Sequence, residues 1–255
     1  MDKKTTKRTK KKNKLPEILL VISVLIMGLL VVMVFYKNKT NKFKNATRKI
    51  AGDFPSPAEL IPSDKTTYFS YMEIPDMIFR KMDGVSYSND NPVNRDELRY
   101  LQLLYWGTDN AAHKGEMIVN AEIADKVVDV FYDLYKAKYP IESVQLVEDY
   151  GGNDEVSMGK NNTSCFNGRK VKGSEEWSDH AYGMAIDLNP LYNPYVGSDG
   201  SVYPVIATEY TDRNKVFRMK IDENDFAYIT FTKYGFTWGG HWEENKDYQH
   251  FSLRK

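Results

Sequence analysis

The feature that most constrains this chain is an uncharged apolar run at residues 18–36, ILLVISVLIMGLLVVMVFY. As an α-helix, a run of this length reaches roughly 28 Å, close to the ~30 Å hydrocarbon core of a bilayer. A buried helix that is apolar on every side would be unusual in a domain of this size. A cleaved signal peptide would have a shorter apolar region and a small-residue cleavage site, whereas four lysines follow this run within residues 37–44. The run therefore predicts one uncleaved transmembrane helix.

Charge is distributed unevenly about this run. Eight Lys or Arg residues precede it, against six in residues 37–49, which predicts a cytoplasmic N-terminus, a cell-membrane location and an extracellular C-terminal domain. Beyond residue 36 there are 27 basic and 33 acidic residues, so the body is mildly acidic. Because the basic cluster is confined to the tail, we expect no nucleic-acid partner. Cys165 is the single cysteine, which excludes an internal disulfide.

The rest of the chain divides by composition. Residues 1–17 form a basic tail, and residues 37–66 are polar with three prolines, which is typical of a linker or stalk. Residues 67–255 are long enough for one domain. Its expected class is α+β, with helices flanking a small antiparallel sheet.

Three segments of this domain carry secondary-structure signals. Residues 94–106, NRDELRYLQLLYW, predict a helix with leucines at i, i+3 and i+6 on one side. Residues 119–140 predict a second helix, with Asn120 as N-cap, Pro140 at its end and one apolar stripe. The stripe comprises Ile123, Val127, Val130, Phe131 and Leu134. Residues 143–150, SVQLVEDY, alternate and predict a strand.

The segment SDHAYGMAIDLNP at residues 178–190 offers two metal-ligand candidates, His180 and Asp187. Residues 185–188 predict a buried strand, in which a carboxylate is costly unless it is paired or metal-bound. Taken alone, Asp187 could equally be satisfied by backbone donors at a strand end. His180 nearby and a second histidine near the C-terminus favour the metal hypothesis.

That second histidine lies in WGGHWEENKDYQHF at residues 238–251, where Asp247 and His250 are three apart. The segment predicts a turn feeding a strand, and His250 could alternatively be a core-edge histidine bonded to Asp247. Two imidazoles, one carboxylate ligand and one spare carboxylate are the inventory of a catalytic zinc site. Of the other histidines, His113 falls in a predicted loop, and His241 is a candidate for supporting the site.

SDHAYGMAIDLNP, followed by WGG-x-W and D-x-x-H-F, resembles the zinc peptidases that cut bacterial cell-wall peptides. This family includes D-alanyl-D-alanine carboxypeptidases and phage-endolysin L-alanyl-D-glutamate peptidases, and is related to the hedgehog fold. The resemblance extends upstream through HKGEMIVN, YPIESVQL and SMGKNNTSCFNGRKV, and covers roughly residues 110–253.

The resemblance implies a hedgehog/DD-peptidase-like fold, one Zn²⁺ per chain, and the following roles. The zinc ligands would be His180, Asp187 and His250; the acid/base would be Asp247; Arg169 and Ser178 would hold or polarise the substrate. Trp238 and Trp242 could wall the cleft or pack in the core. One departure is His241, where endolysin-like members often carry Asp, and it leaves substrate preference open.

The expected function is a membrane-anchored zinc peptidase acting on peptidoglycan stem peptides, of the D-alanyl-D-alanine carboxypeptidase type. An L-alanyl-D-glutamate endopeptidase of the same family is the alternative enzyme, since nothing in the linear sequence selects the bond. A zinc-bearing but non-catalytic wall-binding module would have no need of the Asp247 carboxylate. A structural membrane protein whose outer domain binds no metal is the remaining alternative.

Overall fold

A computed structural model describes residues 65–254, a mixture of short helices and small, mainly antiparallel sheets. The helices are α1 (Lys65–Tyr68), α2 (Asp76–Met82), α3 (Ala124–Lys136), α4 (Asp154–Gly159) and α5 (Phe226–Lys233). The strands are β1 (Ser70–Glu73), β2 (Leu98–Gly107), β3 (Ala112–Asn120), β4 (Pro140–Ile141), β5 (Ala185–Asp187), β6 (Tyr195–Val196), β7 (Val202–Tyr203), β8 (Thr237–Trp238), β9 (Lys246–Asp247) and β10 (His250–Ser252). Short 3₁₀ helices lie at Arg95–Glu97, Val147–Tyr150, Asp179–Tyr182, Val205–Tyr210 and Gly239–His241. The predicted mixed class is confirmed.

The predicted tail, the membrane helix at residues 18–36 and residues 37–64 of the linker lie outside the described residues. Within residues 65–254, each helix is too short or too polar to span a bilayer.

The largest sheet has the order β1-β2-β3, all antiparallel, with β4 parallel to the end of β2. Its central strand β2 occupies most of the segment for which a helix was predicted, and that prediction is wrong. Leu98 and Tyr100 of β2 belong to one buried cluster, while Leu101 and Leu103 belong to another. A strand that is buried on both faces does not alternate polar and apolar residues. The spacing of its leucines can therefore match the period of a helix.

Helix α3 confirms the predicted apolar stripe. Its buried face carries Val127, Val130, Phe131 and Leu134, which pack in the main core with β2. The predicted N-cap is wrong: Ile123 occupies that position, and the helix ends at Lys136, before Pro140. The Asn120 side chain instead donates to Tyr182 O at 3.0 Å, which ties the start of this region to the turn at residues 179–182.

The predicted strand at residues 143–150 is also wrong, since the segment forms an isolated β-bridge from Ser143 to Asn162 and a 3₁₀ helix at Val147–Tyr150. Asn162 explains the difference. Its side-chain amide accepts the Gln145 N–H at 2.8 Å and donates to Gln145 O at 3.0 Å. A side chain thus takes the backbone groups that a neighbouring strand would have paired.

Two three-stranded sheets, β5-β10-β8 and β7-β6-β9, lie in the C-terminal half. In the first, His250 is directly opposite Asp187 and Phe251 opposite Ile186. In the second, Asp247 on β9 is directly opposite Tyr195 on β6. Helix α5 joins this half to α3 through Phe231, whose ring stacks on Phe251 with centroids 4.2 Å apart. The short connection from β9 to β10 therefore brings Asp247 and His250 to one place.

Candidate active site

His180, Asp187 and His250 converge in the C-terminal half. All three are buried, and one potential ligand atom from each lies within 4.8 Å of the others. Asp187 and His250 meet because β5 and β10 pair antiparallel with these residues in register. His180 arrives from the 3₁₀ helix at Asp179–Tyr182, which ends at Gly183.

Gly183 permits this arrangement, because it reverses the chain between His180 and β5. Its φ is +65°, a left-handed conformation that side chains rarely adopt. A Cβ there would lie 2.7 Å from the Asn120 backbone nitrogen, closer than real Cβ atoms approach. A glycine is therefore required by both conformation and space.

Hydrogen bonds orient the two imidazoles. The Nδ1 of His180 lies 2.6 Å from the Cys165 carbonyl, so Nδ1–H donates there and Nε2 carries the lone pair. That Nε2 lies 3.2 Å from one oxygen of Asp187, and the Nδ1 of His250 lies 3.2 Å from the other. The three side chains thus present Nε2, a carboxylate and Nδ1 toward a common point.

Electrostatics couples these groups. Burial opposes the charge on Asp187, but the two imidazoles outweigh it and hold the pKa of Asp187 well below its usual range. Burial likewise opposes a charge on His250, yet the carboxylates of Asp179 and Asp187 raise the pKa of His250 to about 10. The cluster therefore strongly favours a positive charge beside Asp187, and a metal ion would supply one.

Asp247 lies beside the cluster, with Oδ2 3.9 Å from His250 Nδ1. Its Oδ1 is buried and has no hydrogen-bond partner among the described residues. Burial, then repulsion from Asp187, raise the pKa of Asp247 to about 6. A buried, unpartnered carboxylate oxygen costs about 1–3 kcal/mol or more unless a ligand satisfies it.

This donor set fits a metal ion. Two imidazole nitrogens and a carboxylate are ordinary zinc ligands, and three protein ligands leave a position open for water. The orphaned Asp247 oxygen beside them is placed to accept a hydrogen bond from such a water.

The two tryptophans predicted to bind substrate differ in their exposure and in their contacts. Trp242 is 39% exposed, and its ring centroid lies 5.2 Å from that of His250, so it borders the site. Trp238 is 6% exposed and donates its indole N–H to Tyr248 O at 2.9 Å. Of the two alternatives for Trp238, core packing is the one that the geometry favours.

Arg169 and Ser178 are engaged with other residues of the chain. Arg169 forms an ion pair through Nε with Asp154 of α4. Ser178 is buried and accepts the His180 backbone N–H at 3.3 Å, capping the 3₁₀ helix that carries that histidine. Ser178 therefore acts on the site through the position of His180.

The remaining histidines lie apart from the ligand cluster. His241 contacts Glu223 through Nε2 at 2.9 Å and packs against Trp238. His113 lies on β3, so its predicted loop is wrong, and its Nε2 is 2.9 Å from Asp109.

Asp179 is the residue that the sequence analysis missed. One carboxylate oxygen accepts the Ser252 hydroxyl at 2.8 Å and lies 3.9 Å from His250 Nε2. The other accepts from Arg254 at 3.1 Å. Its position next to His180 in the sequence gave no sign of this, because its partners come from the far end of the chain. Asp179 faces the ring nitrogen of His250 that points away from Asp187.

Two imidazoles and a carboxylate, with a further buried carboxylate beside them, define the class of single-metal hydrolase sites. Residues 172–253 match a peptidase family model described as D-alanyl-D-alanine carboxypeptidase. The match covers about a third of the chain, and the resemblance drawn from the motifs is confirmed. The matched segment includes His180, Asp187, Asp247 and His250. No curated protein and no solved structure matches the chain.

Proposed function

We propose that the protein is a zinc-dependent D-alanyl-D-alanine carboxypeptidase that trims peptidoglycan stem peptides. The observation that carries the proposal is the convergence of His180, Asp187 and His250 beside the unpartnered Oδ1 of Asp247. The family match over the same segment supports a peptidase rather than another hydrolase.

In this proposal His180 would hold the zinc ion through Nε2, His250 through Nδ1, and Asp187 through its carboxylate. Bound zinc would supply a Lewis acid that acidifies a water molecule and polarises the scissile carbonyl. The second ring nitrogen of His180 donates to Cys165 O, and that of His250 faces the Asp179 carboxylate at 3.9 Å, which would keep the first nitrogen of each ring available as a ligand.

Asp247 is the proposed acid/base. Its carboxylate accepts a proton from the attacking water as the new C–O bond forms. It returns that proton to the amine nitrogen as the C–N bond breaks, so that the protons balance over the cycle. Its buried position and raised pKa, about 6, suit a group that must both accept and release a proton near neutral pH.

Arg169 is proposed to stabilise negative charge on the substrate, either the oxyanion or the terminal carboxylate. Its ion pair with Asp154 and the hydrogen bond from its Nη1 to Lys170 O would orient the guanidinium and leave Nη2 as the donor to substrate. Trp242 would form a wall of the cleft next to His250.

The apolar run at residues 18–36 is proposed to anchor the enzyme, with the basic tail inside and the peptidase domain at the outer face beside its substrate. Protease added to intact cells should then digest the domain and leave the tail protected. A domain that stays intact until the cells are lysed would show that the orientation is the opposite of the one proposed.

The function is tested with the full chain in detergent, loaded with zinc and incubated with defined muropeptides. Mass spectrometry should show the loss of a single terminal alanine from pentapeptides ending in D-alanyl-D-alanine. Cleavage between L-alanine and D-glutamate would show the endopeptidase activity instead. Zinc binding with no cleavage of either bond would indicate a non-catalytic binding module.

A further inference from the structure

A row of side chains extends from Asp247 across the sheet β7-β6-β9. Asp247 is directly opposite Tyr195, which in turn is directly opposite Tyr203. Residues paired directly across antiparallel strands point to the same face of a sheet. The two tyrosine rings confirm this, since their centroids lie 6.0 Å apart. The face that presents the proposed base to the site therefore continues outward as two tyrosines.

A cation terminates this row. Lys172 donates from Nζ to the Tyr203 hydroxyl at 2.5 Å, and the same atom lies 3.8 Å from the centre of the Tyr203 ring. Among the described residues, Lys172 makes no ion pair within 4.0 Å. The pKa of nearby Asp199 is lowered chiefly by hydrogen bonds from Ser201, with a smaller contribution from Lys172. Lys172 is exposed but held in place, and its charge is available to a ligand.

The spacing of the row sets the distance at which this cation acts. Adjacent strands lie about 4.8 Å apart, so Tyr203 is roughly 10 Å from Asp247. An extended peptide advances about 3.3 Å per residue, so this is about three residues from the scissile bond. If the enzyme removes one C-terminal residue, a group at that distance must lie on the N-terminal side of the bond.

We propose that Tyr195, Tyr203 and Lys172 form an extended substrate-binding subsite that selects a peptide carrying a carboxylate about three residues before the scissile bond. This proposal rests on the proposed function, because it takes Asp247 as the position of the reaction. The tyrosine rings would support the extended peptide, and the Lys172 ammonium would pair with its carboxylate.

The test compares two synthetic peptides that end in D-alanyl-D-alanine and differ only in a carboxylate or a carboxamide at that position. With the zinc-loaded full chain at low salt, the acidic peptide should have about a 3–5-fold lower KM and the same kcat, the size expected of an exposed charge pair. The Lys172→Gln variant should lose the preference without a change in kcat. Raising the salt concentration should weaken the preference of the wild type.

Lys170→Gln is the matched control, since Lys170 is an exposed lysine of the same segment that lies over Trp177, 4.1 Å from its ring centre. It should keep the preference. Tyr203→Phe removes the hydroxyl that holds Lys172 and should reduce the preference in part. Equal KM values for the two peptides, or a preference that survives Lys172→Gln, would overturn the subsite.

Binding separates this proposal from the proposed function. Calorimetry with the zinc-loaded Asp247→Asn variant measures peptide affinity while turnover is slowed. A Lys172-dependent preference in binding, with no cleavage by the wild type, would support the subsite and reject the carboxypeptidase. Cleavage of both peptides, with no preference in binding, would support the carboxypeptidase and reject the subsite.

Discussion

Three aspartates surround His250, and the contacts of each carboxylate indicate a different role. Asp187 lies 3.2 Å from Nδ1 and contacts His180 as well. Asp247 lies 3.9 Å from the same nitrogen but keeps an unpartnered oxygen. Asp179 faces Nε2 and is held by Ser252 and Arg254. Replacing each carboxylate in turn should therefore have a different effect on zinc binding and on turnover.

Asp187→Ala should lose zinc and, with it, activity, because it removes one of the three proposed ligands. Asp247→Asn should retain about one zinc per chain and lose roughly 10²–10⁴ in kcat, the usual effect of removing a general base. Bound zinc and peptide cleavage are measured on the same preparation. An Asp247→Asn variant that is fully active with excess zinc would exclude Asp247 from the mechanism.

Asp179→Asn should lower zinc affinity by about 10–100-fold, because the amide brings no negative charge to face His250 Nε2. Competition with a chelator gives the affinity, and saturating zinc should restore most of the turnover. Glu223→Gln is the control, since it alters the carboxylate paired with His241, away from the ligand cluster. Unchanged zinc affinity in Asp179→Asn would show that Asp179 does not support His250 as a zinc ligand.

At the level of elements, the site depends on a tight turn between a 3₁₀ helix and a strand. Gly183 ends the 3₁₀ helix that presents His180, and β5 with Asp187 begins two residues later. Since Gly183 lies against the Asn120 backbone, the spacing between the two ligands is set by contact with the largest sheet.

Gly183→Ala should destabilise the fold and weaken zinc binding together. The added Cβ suffers both the left-handed φ of +65° and the 2.7 Å approach to Asn120 N. Gly84→Ala is the matched control, because Gly84 has a φ of +72° but no atom within 4 Å of a Cβ. It should cost only the left-handed strain, about 1–2 kcal/mol. Equal losses of thermal stability in the two variants would show that the contact with Asn120 relaxes.

At the level of the whole domain, one of the two buried clusters joins the largest sheet to the sheet that carries the candidate site. One buried cluster runs from Phe69 through β2 and α3 to Phe251, and Phe231 of α5 lies at its centre, fully buried. Its ring contacts Phe131 at 6.5 Å and stacks on Phe251, the neighbour of His250. The metal site should therefore be lost in the same transition as the rest of the core.

Phe231→Ala tests this coupling, because it leaves a cavity between α3 and β10. It should cost about 3–5 kcal/mol, the range for truncating a buried Phe. Circular dichroism of the helices and zinc release should report one coincident transition, shifted to lower denaturant. Zinc release well before the loss of the helical signal would show that the C-terminal sheets unfold on their own.

Short segments of the sequence were sufficient to predict the buried face of α3 and the candidate metal ligands. The stripe on α3 is visible because one helix face is buried, and a period of 3.6 residues survives in the sequence. The ligand candidates were visible because His180, Gly183 and Asp187 lie within eight residues and are joined by a turn that needs glycine. The family resemblance likewise rested on short motifs.

Tertiary structure alone decided the rest. β2 looked helical because both of its faces are covered, and only the neighbouring elements establish that it is a strand. Asp179 meets Ser252, Arg169 meets Asp154, and Asp247 lies in a row with Tyr195 because distant segments pack together. Such contacts depend on how separate segments of the chain pack together, and a short-range pattern carries no record of which segment will lie alongside.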